Sequence, residues 1–145
     1  MKNTLIILIA ASLAFSCGKD AKQEKVTNLE GEVLTIHDEV MPKMDEIMSL
    51  KSKLTNKIQE IDSLQNVGVS SNSLAERRIK ATELNQKLSD SDKAMMEWMH
   101  GYAGDSAKKL EPDAAINYFE SEREKILVVK QTTNKSIQDA KTFLE

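Results

Sequence analysis

The chain has few of the residues that cross-link, bend or punctuate a compact fold. Its 145 residues include 1 cysteine, 2 prolines and 5 glycines, and aromatic side chains make up 4%. A single cysteine excludes an internal disulfide framework and a multi-cysteine metal centre. So little glycine and proline leaves few turns, and no strand-like alternation bounded by turns occurs, which argues against a many-stranded sheet. There is no glycine-rich phosphate loop and no serine-centred elbow. With only 2 histidines, a hydrolytic triad has little to draw on, and no enzymatic activity is expected. Lys and Arg total 20 against 23 Asp and Glu, so no basic surplus exists to hold nucleic acid. What is present is 30% charge interleaved with periodic apolar positions, the composition of long solvated helices.

The one cysteine has a particular place. After a short start carrying Lys2, residues 5–16 read LIILIAASLAFS, and Cys17 and Gly18 follow. The apolar run is shorter than the roughly 20 residues a bilayer span needs and has the form of an export signal. Ala14 and Ser16 before Cys17, with Gly18 after it, resemble the lipobox of bacterial lipoproteins, in the looser form found in Bacteroidota, since Ala14 stands where the strictest pattern has leucine. That resemblance implies cleavage before Cys17, acylation of its sulfur, and membrane attachment through the N-terminal lipid. Lys19-Asp20 partly resembles the signal that sends some such lipoproteins to the cell surface. The expected location is the cell envelope, as an outer-membrane lipoprotein on the periplasmic face or the surface. Several acyl chains would anchor firmly, each buried methylene contributing roughly 0.8 kcal/mol. Only Lys2 among the charged residues leaves with residues 1–16, so the net charge of −3 becomes −4.

Residues 17–25 are polar and read as a lipid-anchored tether. From residue 26 the pattern is helical to the end, giving one bundle domain over 26–145. Val26, Val33, Val40, Ile47, Leu54 and Ile61 recur every seven residues, with Leu29, Ile36, Leu50 and Leu64 between them, a heptad seam on a helix of roughly 40 residues. Gly68 marks its stop. Ser73-Leu-Ala-Glu76 has the form of a capping box opening a second helix, whose apolar positions are Leu74, Ala81, Leu84, Leu88, Met95, Trp98 and Tyr102. Pro112 and Asp113 suit the first turn of a third, with Ile116, Phe119, Ile126, Val129, Ile137, Ala140 and Leu144 as its buried stripe. The expected fold is all-α, an antiparallel bundle of three long helices, with a dimeric coiled coil as the rival architecture. Pro42, inside the first helix, predicts a kink over residues 38–42.

Beyond Met1, every methionine and both histidines lie in two short segments: His37, Met41, Met44 and Met48, then Met95, Met96, Met99 and His100, with Trp98 inside the second. Folding the first two helices back about residues 68–70 places residues whose numbers sum to roughly 136–140 at one height, so the two segments meet. The start of the third helix brings Tyr118 and Phe119 toward the same end. Thioether sulfur is a soft ligand and imidazole a borderline one, a combination suited to Cu(I). Such a site would use His37, Met41, Met44, Met95, Met96, Met99 and His100, with Trp98 as a cation–π partner or reporter. The competing explanation is packing: methionine fills irregular core gaps and serves adaptable interfaces, which would fit a protein partner or self-association. Glu97-x-x-His100 has the spacing of carboxylate-bridged di-iron bundles, but the second such motif they require is missing.

His37-Asp-Glu-Val-Met-Pro-Lys-Met44 together with Met95-Met-Glu-Trp-Met-His100 resembles a group of small helical lipoproteins of the Bacteroidota, some carrying the label "viral A-type inclusion protein". The resemblance covers most of the chain after the signal. It implies a lipid-anchored helical protein and no specific activity. The expected role is therefore a non-enzymatic, lipid-anchored helical bundle with a binding or structural task, and the alternative is a Cu(I)-binding lipoprotein.

Overall fold

The computed structural model describes residues 16–145 apart from residue 70. The segment read as an export signal lies outside the described residues, as does the side chain of Cys17. Five helices follow in order: α1 (Ser16–Val40), α2 (Lys43–Asn66), α3 (Asn72–Gly101), the short α4 (Gly104–Ala107) and α5 (Pro112–Leu144). α1 and α2 together run one way, α3 returns, and α5 runs parallel to the first pair, which gives an all-α three-rod bundle. Among the described residues, no helix is long and apolar enough to cross a membrane.

The heptad seam does what its spacing demands. Val26, Val33, Val40, Ile47, Leu54 and Ile61 are all buried. Its phase survives an interruption at Met41–Pro42, where the expected kink takes the form of a two-residue turn between α1 and α2, with Pro42 itself still in the helical region at φ −62° and ψ −19°. Pro42 has no N–H to give to the carbonyl of Asp38. The Met41 N–H still reaches the His37 carbonyl at 3.0 Å, and the Met44 N–H turns to the Met41 carbonyl at 3.1 Å. The break is also where the chain changes partner: α1 lies mainly on α5, α2 mainly on α3.

Two sequence expectations need correction at helix ends. Residues 17–25, read as a tether, are helical from Ser16 onward. Lys22 and Lys25 bond Asp113 at 2.7 Å and Glu120 at 2.8 Å, and Val26 is buried beside Phe119, so a lysine-rich stretch that looked detached is docked on α5. The second helix opens at Asn72, and its N-cap is Ser71, not Ser73: the Ser71 hydroxyl accepts from the Leu74 N–H at 3.2 Å. Gly68 does end α2. It has φ +85°, the left-handed conformation glycine adopts without penalty. Its N–H reaches the Gln65 carbonyl at 3.1 Å and the Val69 N–H reaches that of Leu64 at 3.0 Å, the paired bonds of a Schellman stop.

Charges line the flank of the parallel α1/α2–α5 pair. Glu32 pairs with Arg123 at 2.8 Å, Glu39 with Lys130, and Glu46 with Lys141 at 2.5 Å. Residues 25, 32, 39 and 46 sit one heptad apart, the edge positions of a parallel coiled coil. At the α1 end, the connection after α3 completes the core. Ala107 of α4 packs with Val26, Leu29 and Phe119, and Lys108 pairs with Glu30 at 2.9 Å.

The core also holds a polar layer that periodicity alone does not reveal. Ser91, Glu122, Thr133 and Ser136 are buried. Ser91 and Ser136 meet at 2.8 Å across α3 and α5, and each hydroxyl also approaches its own helix, at the Lys87 and Thr132 carbonyls. Two hydroxyls carry two protons, so only two of these three contacts are donated at once: one serine bonds along its helix and the other across the bundle.

Candidate functional site

The geometry of the methionine segments follows from the α2–α3 seam. Arg78 bonds Asp62, with Nε to Oδ1 at 2.5 Å. One heptad further along each helix, the Asn85 side-chain amide donates to the Thr55 hydroxyl at 3.0 Å and to the Lys51 carbonyl at 3.3 Å. Continuing by sevens, Met48 comes opposite Asp92 and Met41 opposite Met99. The heptad phase persists across the interruption, because Val33, Val40 and Ile47 remain buried, so the count brings Met41 and Met99 to one height, at the point where the chain changes partner between α3 and α5.

Angles around α3 sort the second segment. At about 100° per residue, Asn85 and Arg78, which face α2, lie about 140° and 160° round from Trp98. Met99 at about 100° and Met96 at about 160° share that face. His100 at about 200° is turned to its outer margin and is exposed, while Met95 at about 60° points into the core, fully buried. On α1 and α2, His37 and Met44 lie about 40° from the buried heptad positions, and Met41 and Met48 about 100°, on the side away from the α5 ion pairs.

The seven residues expected as one ligand set therefore divide. His37 and Met44 flank the core and Met99 packs at its edge. Met41, at 37% exposure, and Met96, at 45%, line the outer seam. Met95 is enclosed by Val33, Val40, Ile126 and Val129, with no route to a ligand shared with His100. His37 and His100 do not converge, because His37 lies over Trp98 with ring centroids 5.6 Å apart while His100 projects from the opposite side of that tryptophan's helix. Glu97 turns the other way and pairs with Lys93 at 3.6 Å. No group of three His, Cys, Asp or Glu side chains placed to hold a metal occurs among the described residues.

His37 has a second contact, with Nδ1 2.9 Å from the Asp38 carboxylate. A carboxylate accepts, so Nδ1 carries the proton in the neutral ring and Nε2 presents its lone pair. Below it runs an aromatic ladder. Trp98 and Tyr102 have centroids 5.0 Å apart, Tyr102 and Tyr118 6.4 Å, and Tyr118 and Phe119 5.3 Å in an edge-on pair. The Tyr118 hydroxyl accepts from the Ala103 N–H at 2.6 Å. Trp98 Nε1 and the Tyr102 hydroxyl are buried with no partner among the described residues. Burial, with the charge of Glu30 as the next cause, pushes the Tyr102 hydroxyl up to about 12. The sequence placed Tyr118 and Phe119 near this end. The Asp38 contact and the continuity of the ladder were not foreseen, although Asp next to His37, and Trp98 and Tyr102 four apart on one face, carry both signals.

No family model, curated protein or solved structure matches the chain.

Proposed function

We propose that this protein is a non-enzymatic, lipid-anchored helical module of the cell envelope that works by presenting a binding or structural surface. The observation that carries the reading is Cys17, set at the end of an export-type apolar run and at the very start of a rigid rod. Because α1 begins at Ser16 and is tied to α5 from Lys22 onward, a lipid on Cys17 would hold the bundle itself rather than the end of a loose tether. α1 and α2 span residues 16–66, about 75 Å at 1.5 Å per residue. Such a rod would present the α2–α3 turn, with exposed Leu64, Val67 and Val69, far from the bilayer, and the methionine seam along its flank.

The test is acylation. A bacterial host expressing the full chain is fed a labelled fatty acid, and membranes are separated from soluble protein. The wild-type chain is expected to take up label and sediment with membranes, and Cys17→Ser to do neither. Equal membrane recovery of the two, with no label in the wild type, would overturn the anchor.

A further inference from the structure

We propose that the outer seam between the α1–α2 break and α3 binds a single soft monovalent cation, Cu(I) or Ag(I), through Nε2 of His37 and the thioethers of Met41 and Met99, with Trp98 against the bound ion.

Four observations converge on this set. The first is exposure without a packing reason. The buried heptad positions of α1 and α2 are valine, leucine and isoleucine, so the buried line of these two helices uses no methionine. Met41 stands about 100° from that core line and 37% exposed, where a polar side chain would serve a merely solvated face. The second is register. Counted on by sevens, the Asp62–Arg78 and Thr55–Asn85 contacts bring Met41 to the height of Met99, and the His37–Trp98 contact sets the imidazole within about a turn of that height. The third is the orientation of His37. Asp38 engages Nδ1, the carboxylate–histidine arrangement that holds a ligating ring and directs Nε2 outward, and Nε2 has no hydrogen-bond partner among the described residues. The fourth is selectivity. Harder ions such as Zn(II) want several imidazole or carboxylate ligands, and no such group is assembled among the described residues. A lone imidazole with neutral thioethers instead suits a soft monovalent ion, and an indole face stabilises a nearby cation through its quadrupole. Met44 is part-buried between two of the core clusters and Met96 is exposed on the seam, so neither is needed in the set. Met95, Met48 and His100 are excluded by burial, by height along the rod and by direction, respectively.

This inference does not depend on the lipid anchor, since residues 37–44 and 95–99 form the seam whether or not Cys17 is acylated. Its test uses the chain as expressed and purified in detergent, titrated with Ag(I), which binds like Cu(I) but is not oxidised. The protein has 1 Trp, so its emission reports on Trp98 alone. One equivalent of Ag(I) is expected to change that emission and Zn(II) to leave it unchanged. Met41→Leu and Met99→Leu, near-isosteric changes that preserve packing, are each expected to weaken Ag(I) binding by roughly tenfold or more, with unchanged helicity by circular dichroism. Met48→Leu, Met95→Leu and His100→Ala are expected to bind as the wild type does. No emission change with Ag(I), undiminished binding by both Met41→Leu and Met99→Leu, or an equal loss in His100→Ala would each overturn the assignment.

Discussion

Thr133 offers a direct test of how the core of this bundle is built. It lies on the α5 heptad line of Phe119, Ile126 and Ala140, is 0% exposed, and its hydroxyl has no partner among the described residues. A buried hydroxyl without a hydrogen bond costs about 1–3 kcal/mol in protein mutational data. Thr133→Val replaces that hydroxyl with a methyl of the same shape, and threonine and valine have similar helix propensities, so little else changes. The substitution is expected to stabilise the fold by about 1 kcal/mol, equivalent to about 3–5 °C in melting temperature for a domain of this size. Thr133→Ser keeps the stranded hydroxyl and loses a methyl, and is expected to destabilise by about 1 kcal/mol. Urea and thermal unfolding of the chain from residue 17, with Cys17→Ser, would measure both, and every tertiary contact described above is retained in it. A neutral or destabilising Thr133→Val would refute the reasoning. It would mean that the hydroxyl rotates to donate to a carbonyl of its own helix, and that the polar layer at Ser91, Ser136 and Thr133 is fully satisfied.

Further expectations concern ends and turns. Ser71→Ala removes the cap of α3 and is expected to cost about 1 kcal/mol, whereas Ser73→Ala should be near neutral by urea unfolding. The reverse order would restore the Ser73 capping box. A Cβ on Gly104 would lie 2.6 Å from the Tyr102 hydroxyl oxygen and 2.8 Å from its Cζ, so Gly104→Ala is expected to destabilise by about 1–3 kcal/mol through overpacking, with partial recovery when Tyr102→Phe is added. The raised Tyr102 hydroxyl means that the folded chain keeps a proton the unfolded chain releases. Its contribution to stability is complete below pH 10 and is lost as pH rises from there through about 12. Tyr102→Phe should remove that alkaline slope, read as the urea midpoint against pH.

Much of the architecture was legible in the sequence because burial on a helix is periodic. The seven-residue line from Val26 to Ile61, the stop at Gly68 and Pro112 in the first turn of α5 each follow from one local rule. The height at which the methionine segments meet followed from a turn position and simple antiparallel counting, and the Thr55–Asn85 contact obeys that count. What stayed hidden was direction around the helix. His100 is two residues from Trp98, close in sequence and height, yet it faces solvent because two residues turn the helix by about 200°. The tether was misread for a related reason. Lys19, Lys22 and Lys25 make residues 17–25 look solvated, but Lys22 and Lys25 are paired on α5 with Asp113 and Glu120, contacts set by a chain segment some 90 residues away. The buried Ser91, Glu122, Thr133 and Ser136 occupy core positions that composition alone would give to apolar residues.

The break at Met41–Pro42 ties these threads together. A helix that packs first on α5 and then on α3 must change partner somewhere along its length, and a continuous straight rod cannot serve both contacts equally well. Pro42 places that change at one height by removing the bond to Asp38, and the buried line through Val40 and Ile47 shows that the core tolerates it without losing phase. The consequence lies outside the core. At this same height His37 is held by Asp38, the Trp98 indole lies beneath it, and Met41 is 37% exposed. A bundle selected only for packing has no need to put the Pro42 interruption, its Asp38-engaged imidazole, its one indole and the exposed Met41 thioether at a single level. The proposed soft-cation site would account for that coincidence, and an Ag(I) titration that leaves Trp98 emission unchanged would leave it to packing alone.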